Sequence, residues 1–252
     1  MHISLKSKTI LVTGASRGIG RAISLACGRS GARIAVHYHM NKAAAERIAK
    51  TVGNGSRAFG ADLADPHECE KLFRGVVTAF GRLDVLVNNA GVFVKSPLAH
   101  AAWVKDWDRT MAVNLRAAGI LSRLAVRYFK NRKGGRIITI ASRAAFRGDD
   151  EDYLAYAASK AGMVALSKSI ARAFGKDNIT CFVIAPGWVR TGMAKESIRA
   201  YGEKRIVAEQ ALRRRRLTEP ADIAPLVVLL ASGLADHATG TTIDVNAGSY
   251  VH

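Results

Sequence analysis

The sequence predicts an α/β fold: a single domain in which a doubly wound, parallel sheet of about seven strands is flanked by helices. Three observations carry this expectation. Short apolar runs alternate along the chain with stretches of helical period. Most of these runs are apolar throughout rather than at every second residue, as parallel strands covered on both faces are. No Pro/Gly/Ser-rich linker, composition break or internal repeat divides the 252 residues, and 49% of them are hydrophobic, enough to fill one core.

In order, the apolar run Thr9–Val12 reads as a strand, Thr13–Gly20 as a tight glycine turn, and Ile19, Ile23, Ala26 and Cys27 as one face of a helix. A second strand covers Ala32–Tyr38, and a short helix runs from Asn41 to Thr51. The third strand, Arg57–Ala61, ends at Asp62-Leu63, and Pro66 opens a helix as its first-turn proline. Leu83–Val87 forms a fourth strand running into Asn88-Asn89-Ala90-Gly91. A helical stretch from Trp103 to Asn131 leads to the strand Arg136–Ala141. The helix Tyr153–Phe174 precedes a sixth strand, Ile179–Ala185, which stops at Pro186-Gly187. After a long irregular stretch, Pro220 starts a last helix and Thr242–Val245 closes the sheet. Ligands of such sheets bind beyond the carboxyl ends of the strands, where Gly14, Tyr38, Asp62, Asn88, Ser142 and Pro186 all fall.

Composition narrows the function classes. No run approaches the ~18 apolar residues of a membrane span, and the first residues lack the apolar stretch of a secretion signal, so the expected location is cytoplasmic. Cys27, Cys69 and Cys181 are far apart and set in apolar surroundings, which predicts buried thiols and neither disulfides nor a metal cluster. The histidines show no ligand spacing, and no metal is expected. The formal net charge of +18 attracts anions of any kind. With no recognition helix, zinc module or aromatic-studded strand beside the basic residues, specific nucleic-acid binding is not expected.

Two groups of residues carry chemistry. Gly14, Gly18 and Gly20 lack Cβ, so the backbone can turn sharply and approach a ligand, and the helix N-terminus behind them points its N–H groups at an anion, most plausibly a pyrophosphate. Tyr156 and Lys160 lie four apart on a helix and share a face. A neighbouring ammonium favours phenolate and would bring the tyrosine toward a pKa useful for proton transfer. Ser142, at the end of the preceding strand, could hydrogen-bond a substrate carbonyl there, and Asn114 could connect the lysine to water. Singly, each has a plain alternative: an exposed amphipathic pair, a strand-end cap, a helix-interior amide.

Taken together and in order, Thr13–Gly20, Asp62-Leu63, Asn88–Gly91, Asn114, Ser142, Tyr156-Ala157-Ala158-Ser159-Lys160, Pro186-Gly187 and Thr191 resemble the short-chain dehydrogenase/reductase family over nearly the whole chain. The whole-chain pattern is similar to that of the 3-oxoacyl-acyl-carrier-protein reductases. The resemblance implies a Rossmann-type fold and a catalytic tetrad: Tyr156 as general acid or base, Lys160 holding the nicotinamide ribose and lowering the tyrosine pKa, Ser142 orienting the carbonyl or alcohol, and Asn114 supporting a proton relay. It also implies that Gly14, Ser16, Arg17, Gly18, Ile19 and Gly20 hold the dinucleotide, with Asp62 and Leu63 framing the adenine. Asn88, Ala90 and Gly91 would meet the adenosine side, and Pro186, Gly187, Val189 and Thr191 the nicotinamide. Two departures stand out. Ser142 and Tyr156 are one residue further apart than is usual in the family, across the acidic stretch Gly148-Asp149-Asp150-Glu151-Asp152, and Val245-Asn246-Ala247-Gly248 stands where a paired glycine is usual.

Family members that prefer NAD place a carboxylate at the end of the second strand; this chain has Tyr38, flanked by His37 and His39. Arg17, with His39 and Asn41 nearby, would leave room and donors for a 2′-phosphate, so NADP(H) is expected over NAD(H). Residues 188–217 resemble the family's variable substrate-covering segment, which sets selectivity on a fixed scaffold. The substrate implied is a small carbonyl or alcohol, with a 3-oxoacyl thioester on an acidic acyl carrier protein or CoA as one candidate and a polyol, sugar or steroid alcohol open. Lys133, Arg136 and Arg213–Arg216 could meet such a carrier, or form a solvated face. The family further implies a homotetramer or dimer. The other function class is a dinucleotide-binding regulatory or scaffold protein without turnover.

Overall fold

The computed structural model describes residues 3–213 and 216–251. Its strands are β1 (Thr9–Val12), β2 (Arg33–Tyr38), β3 (Arg57–Gly60), β4 (Val85–Asn88), β5 (Gly135–Ile140), β6 (Ile179–Pro186) and β7 (Thr242–Val245). Its helices are α1 (Gly18–Arg29), α2 (Lys42–Val52), α3 (Pro66–Phe80), α4 (Trp103–Met111), α5 (Ala117–Lys130), α6 (Ala144–Arg147), α7 (Leu154–Phe174), α8 (Lys195–Tyr201), α9 (Glu203–Ala208) and α10 (Pro220–Ser232). Among the described residues the strands form one seven-stranded sheet in the order β3-β2-β1-β4-β5-β6-β7, every pairing parallel. The chain starts in the middle of the sheet, winds out to β3, then returns to β4 on the other side of β1. That reversal opens a crevice at the carboxyl ends of β1 and β4.

The all-apolar strands follow from double winding. Successive side chains point to opposite faces, so Ile10, Val12, Val85, Val87, Ile138 and Ile140 join one core with α1, α2 and α10. Leu11, Leu86 and Ile137 join a second core under α3, α5 and α7. The helix signals act locally. Asp65 accepts the His67 N–H at 2.8 Å ahead of Pro66, and Glu219 with Asp222 closes a capping box around Pro220. Cys27, Cys69 and Cys181 are free and buried, with burial raising their thiols to about 12, 11 and 12.

Two elements differ from the sequence reading. The single helix expected over Trp103–Asn131 is α4 and α5 joined by a π-turn, Ala112–Arg116, which widens the ladder around Asn114. The stretch expected to be irregular holds α8 and α9, separated at Gly202, whose φ of 82° only glycine adopts freely. Their buried residues, Ser197 and Ile206, are too few to make an apolar stripe.

Ala247, where the family usually has glycine, adopts a left-handed φ of 56°, and its carbonyl accepts the Ala211 N–H at 2.9 Å. Ala247→Gly relieves about 1–2 kcal/mol of that conformation and costs about 0.5–1 kcal/mol in glycine entropy, so stability rises by up to about 1 kcal/mol, read as a Tm increase of up to ~2–4 °C. A fall in Tm would show that the alanine is unstrained.

Candidate active site

The glycine turn is locked from three strands. Thr13 Oγ1 donates to the Val87 carbonyl at 3.2 Å and accepts the N–H groups of Asn89 and Ala90, both at 2.9 Å. The Asn89 amide donates to the Thr13 carbonyl at 2.7 Å and lies 3.3 Å from that of Gly14. From β2, His37 accepts the Gly14 N–H on Nδ1 at 2.9 Å, while Nε2 donates to the Ala61 carbonyl at 3.1 Å. Gly14 has a φ of 62°, and a Cβ there would stand 3.0 Å from Ala90 Cα. Behind the turn, α1 starts at Gly18 with no side-chain cap and no acid in its first turn, an N-terminus open to an anion.

Ser142, Tyr156 and Lys160 meet beyond β5. Ser142 and Tyr156 line one cleft with Ile19, Pro186, Gly187 and Trp188, enclosing about 630 Å³ of open space. The Tyr156 ring packs edge-on against Phe93, centroids 4.7 Å apart. Lys160 is 4% exposed; its Nζ donates to the Ile140 carbonyl at 2.9 Å and stands 5.7 Å from the Tyr156 ring centroid. Burial lowers the Lys160 amine to about 8 and pushes the Tyr156 phenol up to about 12, although a hydrogen bond with Ser142 pulls the phenol the other way. The lowered tyrosine pKa expected from the Tyr156–Lys160 spacing is therefore not a property of the protein alone. One N–H of the ammonium is used on the Ile140 carbonyl, and desolvation of the phenol dominates.

Asn114 is fully buried in the π-turn. Its Oδ1 accepts the Val92 N–H at 2.7 Å, and its Nδ2 reaches the Val92 carbonyl and Ser159 Oγ, each at 3.0 Å. Its amide thus clamps the loop after Gly91 to α7 rather than reaching the lysine, although a Cβ on Gly91 would stand 3.2 Å from Asn114 Oδ1 and 3.6 Å from Lys160 Nζ.

The remaining expected residues divide. Gly18 faces Thr191, 3.3 Å from where its Cβ would be, and Gly20 packs onto the Gly14 carbonyl. Val189 and Thr191 line the Tyr156 cleft. Ser16 is half-buried within the turn. Arg17 is exposed and lines a neighbouring cleft with Gly91, Phe93, Arg109 and Met193. Tyr38 ends β2 with its ring over Gly60, and His39 lies 3.8 Å from Asp62 across an exposed corner. Asn41 Oδ1 caps α2, accepting the Ala44 N–H at 2.9 Å. Leu63 is a buried core residue. Asn88 turns its amide away from the crevice to Ser122 Oγ at 3.0 Å, and Asn89 is the asparagine whose side chain reaches the turn. Strand alternation, which sends neighbours to opposite faces, is the sequence signal that could have separated the two.

Between Trp188 and Glu209 the chain is tied to the rim of the cleft at named points. Tyr153 Oη meets Ser197 Oγ at 3.2 Å, Tyr201 donates to Asp150, and the Trp188 and Tyr201 rings lie 5.6 Å apart. Arg143 is held by Ser249 at 2.5 Å and Glu209 at 3.0 Å. Among the described residues no cluster of His, Cys, Asp or Glu suits a metal, and no helix is long and apolar enough to cross a membrane.

The family described as Enoyl-(Acyl carrier protein) reductase matches residues 14–250. An L-rhamnose 1-dehydrogenase (NAD(P)(+)) of Azotobacter vinelandii is 37% identical over 98% of both chains. The chain belongs to the short-chain dehydrogenase/reductase family. A 3-oxoacyl-[acyl-carrier-protein] reductase of Vibrio cholerae is 32% identical over 99% of this chain and 100% of its own. A solved 7α-hydroxysteroid dehydrogenase, complexed with NADH and 7-oxo glycochenodeoxycholic acid, superposes with a TM-score of 0.90 at 30% identity over 98% of this chain and 96% of that one. This short-chain dehydrogenase/reductase is an oxidoreductase of CH–OH and C=O groups and uses a nicotinamide cofactor.

In this short-chain dehydrogenase/reductase the sequence reading passed over His37, which is 2% exposed and ties the glycine turn to the end of β3. Burial lowers its imidazole from the ordinary 6.5 to about 4. Between those values the unfolded chain binds the proton and the folded one does not, so stability is lost as pH falls through that window. Wild type should lose ~2–3 kcal/mol more than His37→Asn between pH 6.5 and 4 in denaturant titrations. Parallel losses would mean that the imidazole protonates freely in place.

Proposed function

We propose that the protein transfers a hydride between NADP(H) and a ketone or secondary alcohol, in the cytoplasm, as a homotetramer or dimer. The observation that carries this reading is the convergence of Tyr156 and Ser142 on one cleft that also borders the glycine turn through Ile19.

The residues present fit a dinucleotide. The uncapped N-terminus of α1 suits a pyrophosphate, and the close approach of Gly14 to Ala90 leaves a cradle that a Cβ would fill. Gly14, Ser16, Arg17, Gly18, Ile19 and Gly20 would hold the phosphates, and Asp62 the adenine. Leu63, Asn88, Ala90 and Gly91 contribute through backbone and packing. Pro186, Gly187, Val189 and Thr191 would border the nicotinamide. The nicotinamide, when bound, supplies or accepts the hydride. Tyr156 Oη gives its proton to the carbonyl oxygen during reduction and takes one from the alcohol during oxidation. Ser142 Oγ holds the same oxygen, and Lys160 would hold the ribose of the cofactor. Asn114 acts by holding Val92 and Ser159 in place behind Lys160. A phenol near 12 is fully protonated at neutral pH, so the protein is poised for reduction, and oxidation should quicken as pH rises.

NADP(H) is favoured because β2 ends at Tyr38 without a carboxylate, while exposed Arg17 offers a cation and exposed His39 a ring nitrogen for a 2′-phosphate. Asn41, whose Oδ1 is committed to capping α2, contributes less. Residues 188–217 would cover the substrate. For an acyl carrier protein or CoA thioester the basic face is smaller than its sequence suggests. Arg136 is bonded to Asp236 at 2.6 and 3.1 Å and Arg216 to Asp222 at 2.6 Å, while Arg214 and Arg215 lie outside the described residues.

Tyr156→Phe should cut ketone reduction by ~10²–10⁴-fold while leaving NADPH binding, followed by its fluorescence, within twofold or so of wild type. In the same titration NADH binds more weakly than NADPH. Undiminished turnover removes the tyrosine from the chemistry, and equal binding removes the NADP preference.

A further inference from the structure

We infer that Asp149 is the carboxylate that selects the substrate of this cleft, and that the substrate is a small hydroxyl-bearing carbonyl compound or polyol rather than an acyl chain. The inference rests on the oxidoreductase reading and names its substrate class.

The loop between Ser142 and Tyr156 is one residue longer than is usual in the family. After α6 the chain reverses at Gly148, φ 77°, with nothing near its missing Cβ. The carboxylates that follow have different fates. Asp150 accepts the Tyr201 hydroxyl of α8, and Asp152 pairs with Lys95 at 3.2 Å, so both fasten the rim of the cleft to its neighbours. Asp149 instead lines the cleft beside Arg147 and Tyr156. Its side chain is 11% exposed and burial raises its carboxyl pKa. Its partners are the Asp150 N–H at 3.1 Å and Arg147 at 3.9 Å, and both address Oδ1. A carboxylate offers about four acceptor sites on its two oxygens, so Asp149 enters the cleft short of donors.

A carboxylate left with little water is stabilised when a ligand brings hydroxyl donors to its open acceptor sites. Arg147, exposed and at the long distance of 3.9 Å from Asp149, offers donors beside it. Side by side they present one acceptor and one donor, which is what vicinal hydroxyls require. Methylenes of an acyl chain would strip water from both charges and return no hydrogen bond. The third charged group in the cleft, Arg143, is tied to Ser249 and Glu209.

Asp149 also acts on the chemistry, because its negative charge opposes phenolate formation at Tyr156. The groups facing the phenol are Ser142 from the end of β5, Asp149 from the loop, and Lys160 from α7. Those facing Asp149 are Arg143, Arg147 and Asp150.

The test compares wild type, Asp149→Asn and Asp149→Leu with NADPH or NADP⁺ on aldoses and alditols, on cyclohexanone, and on acetoacetyl-CoA. Wild type should favour the hydroxylated compounds, and both variants should lose at least about tenfold more kcat/KM on them than on cyclohexanone. With an alcohol and NADP⁺, Asp149→Asn should move the rise of kcat to lower pH. Preference for acetoacetyl-CoA, or an equal loss on every substrate, overturns the inference while the oxidoreductase reading stands. Silence of the wild-type protein on every compound with NADPH bound overturns both.

Discussion

A buried ammonium governs the reactive end of this molecule. Lys160 Nζ is taken out of water and held by the Ile140 carbonyl at 2.9 Å, at the last residue of β5. That bond, with Ser167 Oγ on Thr139 Oγ1 at 2.9 Å, seats α7 on β5 and so places Tyr156, one turn earlier, beside Ser142. The charge is unfavourable in that environment, which is why the amine falls to about 8. A polar side chain that costs stability where it sits is held there for another reason, and proton chemistry at the adjacent phenol supplies one.

The dinucleotide end is organised by neutral groups. Thr13 Oγ1 serves three backbone groups of β4 and its following turn, and His37 bridges Gly14 to Ala61. These bonds cross between strands that the chain reaches far apart in sequence, so the positions of Gly14, Asn89 and Asp62 are set by sheet register. An uncapped helix start then remains as the place for an anion, with no cationic side chain needed to create it.

Much of this was readable from residues alone. Apolar runs broken by Gly, Asn and Pro located every strand to within a couple of residues. For the inner strands, such as β1 and β4, burial on both faces leaves a strong signal, while the partly exposed edge strands β3 and β7 were marked by their place in the alternation. Tyr156, Lys160 and Ser142 were legible through spacing and their place at strand and helix ends. What escaped depends on three dimensions. The π-turn around Asn114 has no periodic signature, the divergence of Asn88 and Asn89 needed the strand's phase, and the buried role of His37 needed Gly14 and Ala61 to be brought to it. The expected acidification of Tyr156 is reversed for a related reason: spacing shows that an ammonium is near, but not that the fold buries the phenol, whose desolvation raises it.

The acid-rich loop and the α8–α9 segment close over this machinery from opposite sides, joined by Tyr201 and Asp150. The most direct test of the account is a crystal structure of the ternary complex with NADPH and a ketone. The account predicts Tyr156 Oη and Ser142 Oγ both within about 3.2 Å of the carbonyl oxygen, with Lys160 Nζ on the nicotinamide ribose. A carbonyl bound by other groups, with Tyr156 Oη out of hydrogen-bond reach, would contradict it.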